Sequence, residues 1–505
     1  MPSHALRHGT LGFILGALGF LCFEPQGLFP LMVLLLGGIA YLGSSTGSWR
    51  RAGALGYAFG LGYFLFGVSW VYISMHEFGG MPMPVAAFAT LLFCAYLALF
   101  PAAACAILGA PRFSAVIRTL VLFPALWALS EWLRGWFFTG FPWLAAGYSQ
   151  VSTGGATPLG HFAPLLGVYG VSWLSALCGA AIAYIASALL NHRLSHAGAG
   201  GALLVVLISV GAGLGQVQWT QAAGPPTSVA LVQGNIEQSM KWRPEVARFT
   251  MDSYLRLALS AKQSLILLPE TALPMFNVDV PPEYFRLLAE HAKANGGDIL
   301  LGVPEYAGRE RYYNAVMSFG SSATQVYRKH HLVPFGDYFP DWPVLAWIMN
   351  ALQIPMSDFS RGEAIQQPLA VAGQRVAVNI CYEDVFGEEI IRQLPSATLL
   401  ANFTNDAWWG KSNASDQHMQ MSQMRAKEAG RYMLRATNTG VSAIIDERGA
   451  RIAAARQFAE TTLEGTAQGF SGATPFSRWG NGAFLVLGAI AVILGFSTRF
   501  RQLRR

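Results

Sequence analysis

Three residues of this chain have side chains that neither a core nor a solvated surface requires where they stand. Cys381 lies in "VAVNICYEDV", where an apolar run meets two acids, Glu270 ends "LILLPETAL", and Lys329 follows a strand-like segment in "VYRKHHLVPFGDYFP". A thiol, a carboxylate and an ammonium at three strand ends suit nucleophilic catalysis. The thiolate is the reactive form, and a neighbouring ammonium favours its charge. A carboxylate can take the thiol proton and later return it. The ammonium can serve again by stabilising an oxyanion, beside the backbone N–H that follows the cysteine. Spacing alone leaves other readings open: Glu270 bracing a turn, Lys329 a solvated charge, Cys381 a core filler.

Positioning three such groups calls for a layered scaffold. Residues 227–470 read as alternating strands and helices. Strand candidates are "SVALVQGNI", "LILLPETAL", "DILLGVP", "NAVMSFG", "RVAVNICYE", "ATLLANFTND" and "SAIIDERG", each short and bounded by turn residues. Helical spacing falls over 246–262, 281–296, 385–394 and 416–433. Strands with covering helices predict a layered α/β domain, and such domains place polar residues at the ends of parallel strands.

The rest of the chain is of a different kind. Of its 505 residues 53% are hydrophobic and only 12% charged, too few charges for an ordinary soluble protein. Before residue 227 the only acids are Glu24, Glu77 and Glu131, lysine is absent, and no acid follows residue 470. The sequence therefore divides into a membrane arm over 1–226, a catalytic insert over 227–470, and a last helix with a basic tail over 471–505. Apolar runs predict eight spans, near 9–25, 28–45, 52–75, 82–108, 114–134, 164–190, 200–219 and 481–498. With eight spans, Arg7, Arg50, Arg51, Arg112, Arg193 and the arginines after residue 498 all fall on one side. The positive-inside rule makes that side the cytoplasm, so both termini are expected there and the insert outside. The connection 135–163, rich in Trp, Phe, Tyr and Gly, shares the outer side. It reads as an aromatic belt or as a platform for a lipid headgroup.

Several classes are disfavoured. The arginines cluster at span ends, with no basic stripe carrying interleaved aromatics, so nucleic acid is not expected. Cys22, Cys94, Cys105 and Cys178 lie in apolar runs, and with no C-x-x-C pair neither a disulfide framework nor a zinc site is indicated. His330 and His331 are adjacent and do not share a helix face, which argues against a metal. A transporter or scaffold is a further reading, opposed by the scarcity of ionisable residues within the spans.

The words around the three residues narrow the choice. "LPETALP", "YRKHHLVPFGDYFP" and "NICYED" resemble the Glu-Lys-Cys signatures of the nitrilase superfamily. Within it the chain resembles the apolipoprotein N-acyltransferases, whose eight spans carry an outward-facing nitrilase-like domain before the last one. "LVQGNIEQSMKW" and "NFTNDAWWG" also resemble family motifs, and the likeness covers nearly the full length. It implies a nitrilase-like α/β layered sandwich, with Cys381 as nucleophile, Glu270 as general base and Lys329 as oxyanion stabiliser. Trp242, Asp337, Tyr382 and Glu383 would support the site. Where the family commonly has a glutamate this chain has Asp337, one methylene shorter, which implies an indirect contact or a displaced loop. The implied reaction moves an acyl chain from a phospholipid, through a cysteine thioester, to the N-terminal amine of a diacylglyceryl apolipoprotein. It would proceed at a bacterial inner membrane, without cofactor, in a monomer. The alternative is a membrane-tethered amidase in which water takes the acyl group. The apolar stretch 338–356 suggests an interfacial lid.

Overall fold

The computed structural model describes residues 2–241, 243–308, 311–338 and 359–502. The expected lid falls almost wholly on 339–358, and the supporting Trp242 also lies outside the described residues.

Twelve strands of the insert are described in chain order: β1 (Thr227–Gln233), β2 (Leu265–Leu268), β3 (Asp298–Tyr306), β4 (Tyr312–Gly320), β5 (Val326–Arg328), β6 (Leu369–Val371), β7 (Gln374–Ile380), β8 (Leu399–Thr404), β9 (Met433–Thr437), β10 (Ala443–Ile445), β11 (Arg451–Ala454) and β12 (Thr461–Ala467). They form two six-stranded sheets, ordered β12-β1-β2-β3-β4-β5 and β11-β10-β9-β8-β7-β6. At the centre of each, three strands run parallel: β1, β2 and β3 in one, β7, β8 and β9 in the other.

Period-two alternation decides which layer each side chain joins. Val229, Leu231, Leu265 and Leu267 meet Val376, Val378, Ile380 and Phe403 in a core between the sheets. Their neighbours Ala230, Val232, Ile266 and Leu268 face outward under the helices Pro244–Ser260 and Pro282–Ala294. On the other outer face Ala377, Leu400 and Met433 pack on the helix Ala414–Ala429. Strands buried on both faces read as continuous apolar runs, which is why β1, β2, β7 and β8 were legible. The outcome is a helix–sheet–sheet–helix sandwich, the layered α/β domain expected.

Two local departures have clear causes. The helix expected over 416–433 stops at Ala429, because Gly430 takes φ +61 and turns the chain into β9. A Cβ there would stand 2.8 Å from Thr220 Cγ2. The helix expected over 385–394 is instead a 3-10 turn, Cys381–Val385, followed by the short pieces Gly387–Ile390 and Ile391–Gln393.

The arm is less uniform than eight equal spans. By length and composition, three described helices can cross a membrane: Met83–Gly109, Gly160–Leu190 and Leu194–Leu214. Trp49–Gly67 with Val71–Phe78 makes a fourth if the pair, bent by 58°, counts as one. Arg7–Cys22, Phe29–Ser45 and Gly482–Ser497 are apolar but shorter. The expected span 114–134 is built from Ile117–Leu122 and Phe123–Arg134 and carries Arg118, Glu131 and Arg134. Those charges have structural partners. Glu131 accepts from Trp127 Nε1 and from the N–H of Ala146, while Arg134 Nη1 donates to the carbonyls of Phe141 and Trp143. They pin down the aromatic connection.

The arm and the sandwich share one core. Tyr382, Val385, Trp409, Met421 and Met424 of the insert pack into the same buried cluster as Tyr63, Trp127 and Trp143 of the arm. The helix Ala163–Leu190 breaks at Gly167, and the freed N–H of Val168 donates to Glu428 Oε1 at 2.7 Å.

In β3, a Cβ on Gly302 would lie 2.2 Å from the Pro269 carbonyl and 2.8 Å from Glu270 Cα. Gly302→Ala is therefore expected to cost about 1–3 kcal/mol by overpacking, read as a lower thermal midpoint in detergent. An unchanged midpoint would contradict this packing.

Candidate active site

The site forms where the C-terminal ends of the parallel strands in both sheets converge, the usual location in open α/β folds. Cys381 follows β7 directly, with φ +51, a strained value for a residue bearing a Cβ. The turn is held by Glu383, whose buried carboxylate is surrounded by donors. Oε2 accepts from Ile380 N at 2.6 Å and Tyr327 Oη at 3.0 Å, and Oε1 from the N–H groups of His330 and His331 at 2.7 and 3.1 Å. One side chain thus staples the cysteine turn to the segment that carries Lys329. Burial pushes the Glu383 carboxyl up to about 7, against the pull of those backbone N–H donors.

Glu270 follows β2 and is itself buried. Its Oε1 accepts from Asn314 Nδ2 at 2.7 Å and its Oε2 from the N–H of Asn405 at 2.9 Å. Lys329 follows β5 and is 2% exposed. Its Nζ stands 3.6 Å from Glu270 Oε1 and 2.7 Å from Asp337 Oδ2. Burial alone would depress this ammonium, but the Asp337 and Glu270 carboxylates outweigh it and hold the group above the usual lysine range. Asp337 also accepts from Val333 N at 2.8 Å, which folds its own loop back toward the lysine. The shorter side chain makes a direct contact, so of the two alternatives, an indirect contact or a displaced loop, the indirect contact is not found. The loop supplies the missing methylene.

The charges act on Cys381 in opposite senses. Burial pushes the thiol up, the Glu270 carboxylate adds to that, and Lys329 with a hydrogen bond from Thr404 opposes. The net direction is upward, so the resting side chain is a thiol. Lys329 favours the thiolate, as expected from the sequence, but does not outweigh burial and Glu270.

Tyr382, expected as a support, donates from its hydroxyl to the Gly140 carbonyl at 3.0 Å and stacks on Trp143 at 6.4 Å between ring centroids. Trp143 is fully buried. The connection 135–163 is therefore only partly a belt: Trp136, Phe137 and Phe138 are exposed, while 143–151 forms packed ground under the cysteine turn.

Several participants escaped sequence reasoning. In the sequence Asn314 reads only as the start of a strand, and Asn405 only as part of a motif. Lys241, beside Trp242, is buried and donates to Thr271 Oγ1 at 2.7 Å and the Glu270 carbonyl at 3.3 Å. Beneath the cysteine turn, Asn402 donates to the Cys381 carbonyl at 3.2 Å, and buried Arg435 ties Asn402 to Asp406 and, at 3.6 Å, to Asp384. Polar residues inside strand β8 were the available signal, since a buried amide requires partners.

Sandwich, cysteine turn and carboxylate–ammonium pair together define a carbon–nitrogen-hydrolase-type domain mounted on a helical arm of apolar character. The pattern of the family described as "Carbon-nitrogen hydrolase" matches residues 228–474, and that of "Apolipoprotein N-acyltransferase N-terminal domain" matches 15–181. An apolipoprotein N-acyltransferase of Nitrosomonas europaea is 48% identical over 98% of both chains. Others are 46% identical over 90% of this chain and 88% of theirs (Methylococcus capsulatus), and 36% over 99% and 98% (Neisseria meningitidis). The chain belongs to the apolipoprotein N-acyltransferase family.

Lys241 gives this geometry a pH signature. Burial lowers its ammonium from 10.5 to about 8, with Glu270 and Cys381 pulling the other way. Between about pH 8 and 10.5 the unfolded chain keeps a proton that the folded chain has lost. Stability owed to this residue therefore rises with pH across that window, by at most about 3 kcal/mol. Unfolding midpoints should show the rise in the native protein and not in Lys241→Met; parallel profiles would contradict the assignment.

Proposed function

We propose that the chain is an N-acyltransferase of lipoprotein maturation, moving an acyl chain from a phospholipid to the N-terminal amine of a diacylglyceryl-cysteine apolipoprotein. The observation that carries this reading is the buried Glu270–Lys329 pair held over the strained Cys381 turn, in a chain related along its whole length to enzymes of that name.

Glu270 takes the thiol proton as Sγ attacks the ester carbonyl. The resulting oxyanion is stabilised by Lys329, whose charge Asp337 keeps in place. Collapse expels the lysophospholipid alkoxide, which recovers the proton from Glu270, and leaves a thioester on Cys381. The acceptor amine then attacks that thioester, Glu270 removes its proton, and the thiol departs with the amide formed. A thioester stays reactive toward an amine while the amide is stable, so the order runs downhill without a nucleotide. Trp242 is assigned a supporting role beside Lys241, and Tyr382 and Glu383 hold the turn.

Both substrates carry acyl chains whose extraction from lipid costs about 0.8 kcal/mol per CH₂. A site fused to a membrane arm lets them react without leaving the bilayer and limits access of competing water. We assign the chain to the bacterial inner membrane, as a monomer with eight spans over the boundaries given above, both termini cytoplasmic and the catalytic domain periplasmic. A fusion reporter at residue 230 that reads cytoplasmic would contradict that orientation.

Mass spectrometry of the protein incubated with phospholipid alone should find acyl mass on the peptide holding Cys381 and none in Cys381→Ala. Glu270→Gln should slow its appearance by about 10²–10⁴. Adding a diacylglyceryl-cysteine peptide should discharge the label as an N-acyl amide; release as free fatty acid would instead identify a hydrolase. An acylated Cys381→Ala protein would overturn the nucleophile assignment.

A further inference from the structure

A second feature lies beside the catalytic turn and none of Glu270, Lys329 or Cys381 lines it. It is a cavity of about 220 Å³ where the arm meets the sandwich. At about 30 Å³ per water it has room for about seven, ample for a phosphate diester. Its walls come from the end of the helix Phe123–Arg134, from the break near Gly167, and from the segment leading into the last helix. That places it at the level where arm helices give way to the polar domain, which for a bilayer-embedded arm is the headgroup region. Exposed Trp136, on its wall, continues into exposed Phe137 and Phe138, the aromatic girdle such a level favours.

On the cavity wall three arginines (Arg361, Arg392 and Arg425) face two carboxylates (Glu388 and Glu389), and Arg425 is paired from behind by Glu428. Glu389 is shared by His331, with Nδ1 at 3.1 Å, and by Arg392, with Nη2 at 3.7 Å. Glu388 accepts from the N–H of Asn481 at 3.1 Å. Arg425 is buried against Glu428 at 3.1 Å, yet its Nε has no partner among the described residues. Arg361 is exposed and, among the described residues, has neither a hydrogen bond nor an ion pair. Among the described residues the Arg392 side chain makes one further hydrogen bond, to the Ala364 carbonyl at 3.3 Å. Guanidinium forks with spare donors in a concave, half-dry site match phosphate oxygens.

We propose that this cavity binds the phosphate of a phospholipid headgroup, held by Arg361 and Arg392, and so places the acyl donor beside Cys381. The inference rests on the phospholipid-donor reading above. The cavity is lined by Val385 and Phe386, and the 3-10 turn from Cys381 to Val385 advances only about 8 Å at 2 Å per residue. A glycerophospholipid carries its ester carbonyls a few bonds from phosphorus, so a phosphate anchored here leaves an ester within reach of the turn.

The test uses the full-length protein in detergent and two readouts. On the Cys381→Ala background, native mass spectrometry should show a phospholipid binding about tenfold tighter than the diacylglycerol with the same chains, and Arg361→Gln/Arg392→Gln should erase that difference. In the active protein the double variant should raise KM for phospholipid about tenfold with little change in kcat, and leave self-acylation by a phosphate-free p-nitrophenyl ester unchanged. Arg361→Lys/Arg392→Lys should recover part of the affinity. Equal binding of both lipids, or equal loss with both donors, overturns the proposal. Inorganic phosphate that binds as tightly as the lipid, with the same arginine dependence, overturns it in favour of a free-anion site. Failure of the donor reading would show separately, as no acyl mass on Cys381, while the binding readout still decides the site.

Discussion

Lys329 is an ammonium almost wholly removed from water, and the site depends on how its charge is compensated. A lone buried charge of that kind would shed its proton or unfold its surroundings. Asp337 at 2.7 Å and Glu270 at 3.6 Å prevent this. The cost of assembling three charges in a dry place is repaid only if their remaining valences are satisfied. That is what Asn314, the N–H of Asn405 and the N–H of Val333 provide. Two of the three donors are backbone groups, so the charge arrangement is written into the turns themselves. Burial first, and the Glu270 carboxylate second, push the nearby Cys381 thiol up, while Lys329 offsets only part of that.

The same logic extends outward through Glu383. Its carboxylate accepts four hydrogen bonds, three from backbone, and these join the strained Cys381 turn to the Lys329 segment. Tyr382 then couples that turn to the arm, through Gly140 and Trp143. The candidate nucleophile and the residue that meets the apolar arm are thus consecutive on one short turn. Tyr382, the residue after Cys381, is buried in the arm's core, so the turn and the arm are one packed unit.

Much of this was legible in the sequence because its causes are local. β1, β2, β7 and β8 are buried on both faces and so read as unbroken apolar runs, and the polar residues at their ends mark the site. Glu270, Lys329 and Cys381 stood out for that reason. Other elements were set by tertiary contacts that spacing does not encode. β12, "TTLEGTA", owes its place to pairing along all of β1 rather than to its own pattern. The cysteine turn reads in the sequence as the end of the strand "RVAVNICYE", because its φ of +51 is held by the Glu383 clamp and has no signature in local spacing. Lys241 and Asn314 look ordinary in sequence and matter only because the fold aims them at Glu270. The reach of Asp337 could not be judged from side-chain length while the path of its own loop was unknown.

In the proposed reaction the Cys381 thiol is neutral at rest and surrenders its proton to Glu270 only as it attacks. The most direct measurement is the ultraviolet thiolate absorbance of the protein minus that of Cys381→Ala, followed across pH. It should be absent at neutral pH, emerge only under alkaline conditions, and emerge at lower pH in Glu270→Gln, where the repelling carboxylate is gone. A full thiolate signal at neutral pH in the native protein would contradict the account.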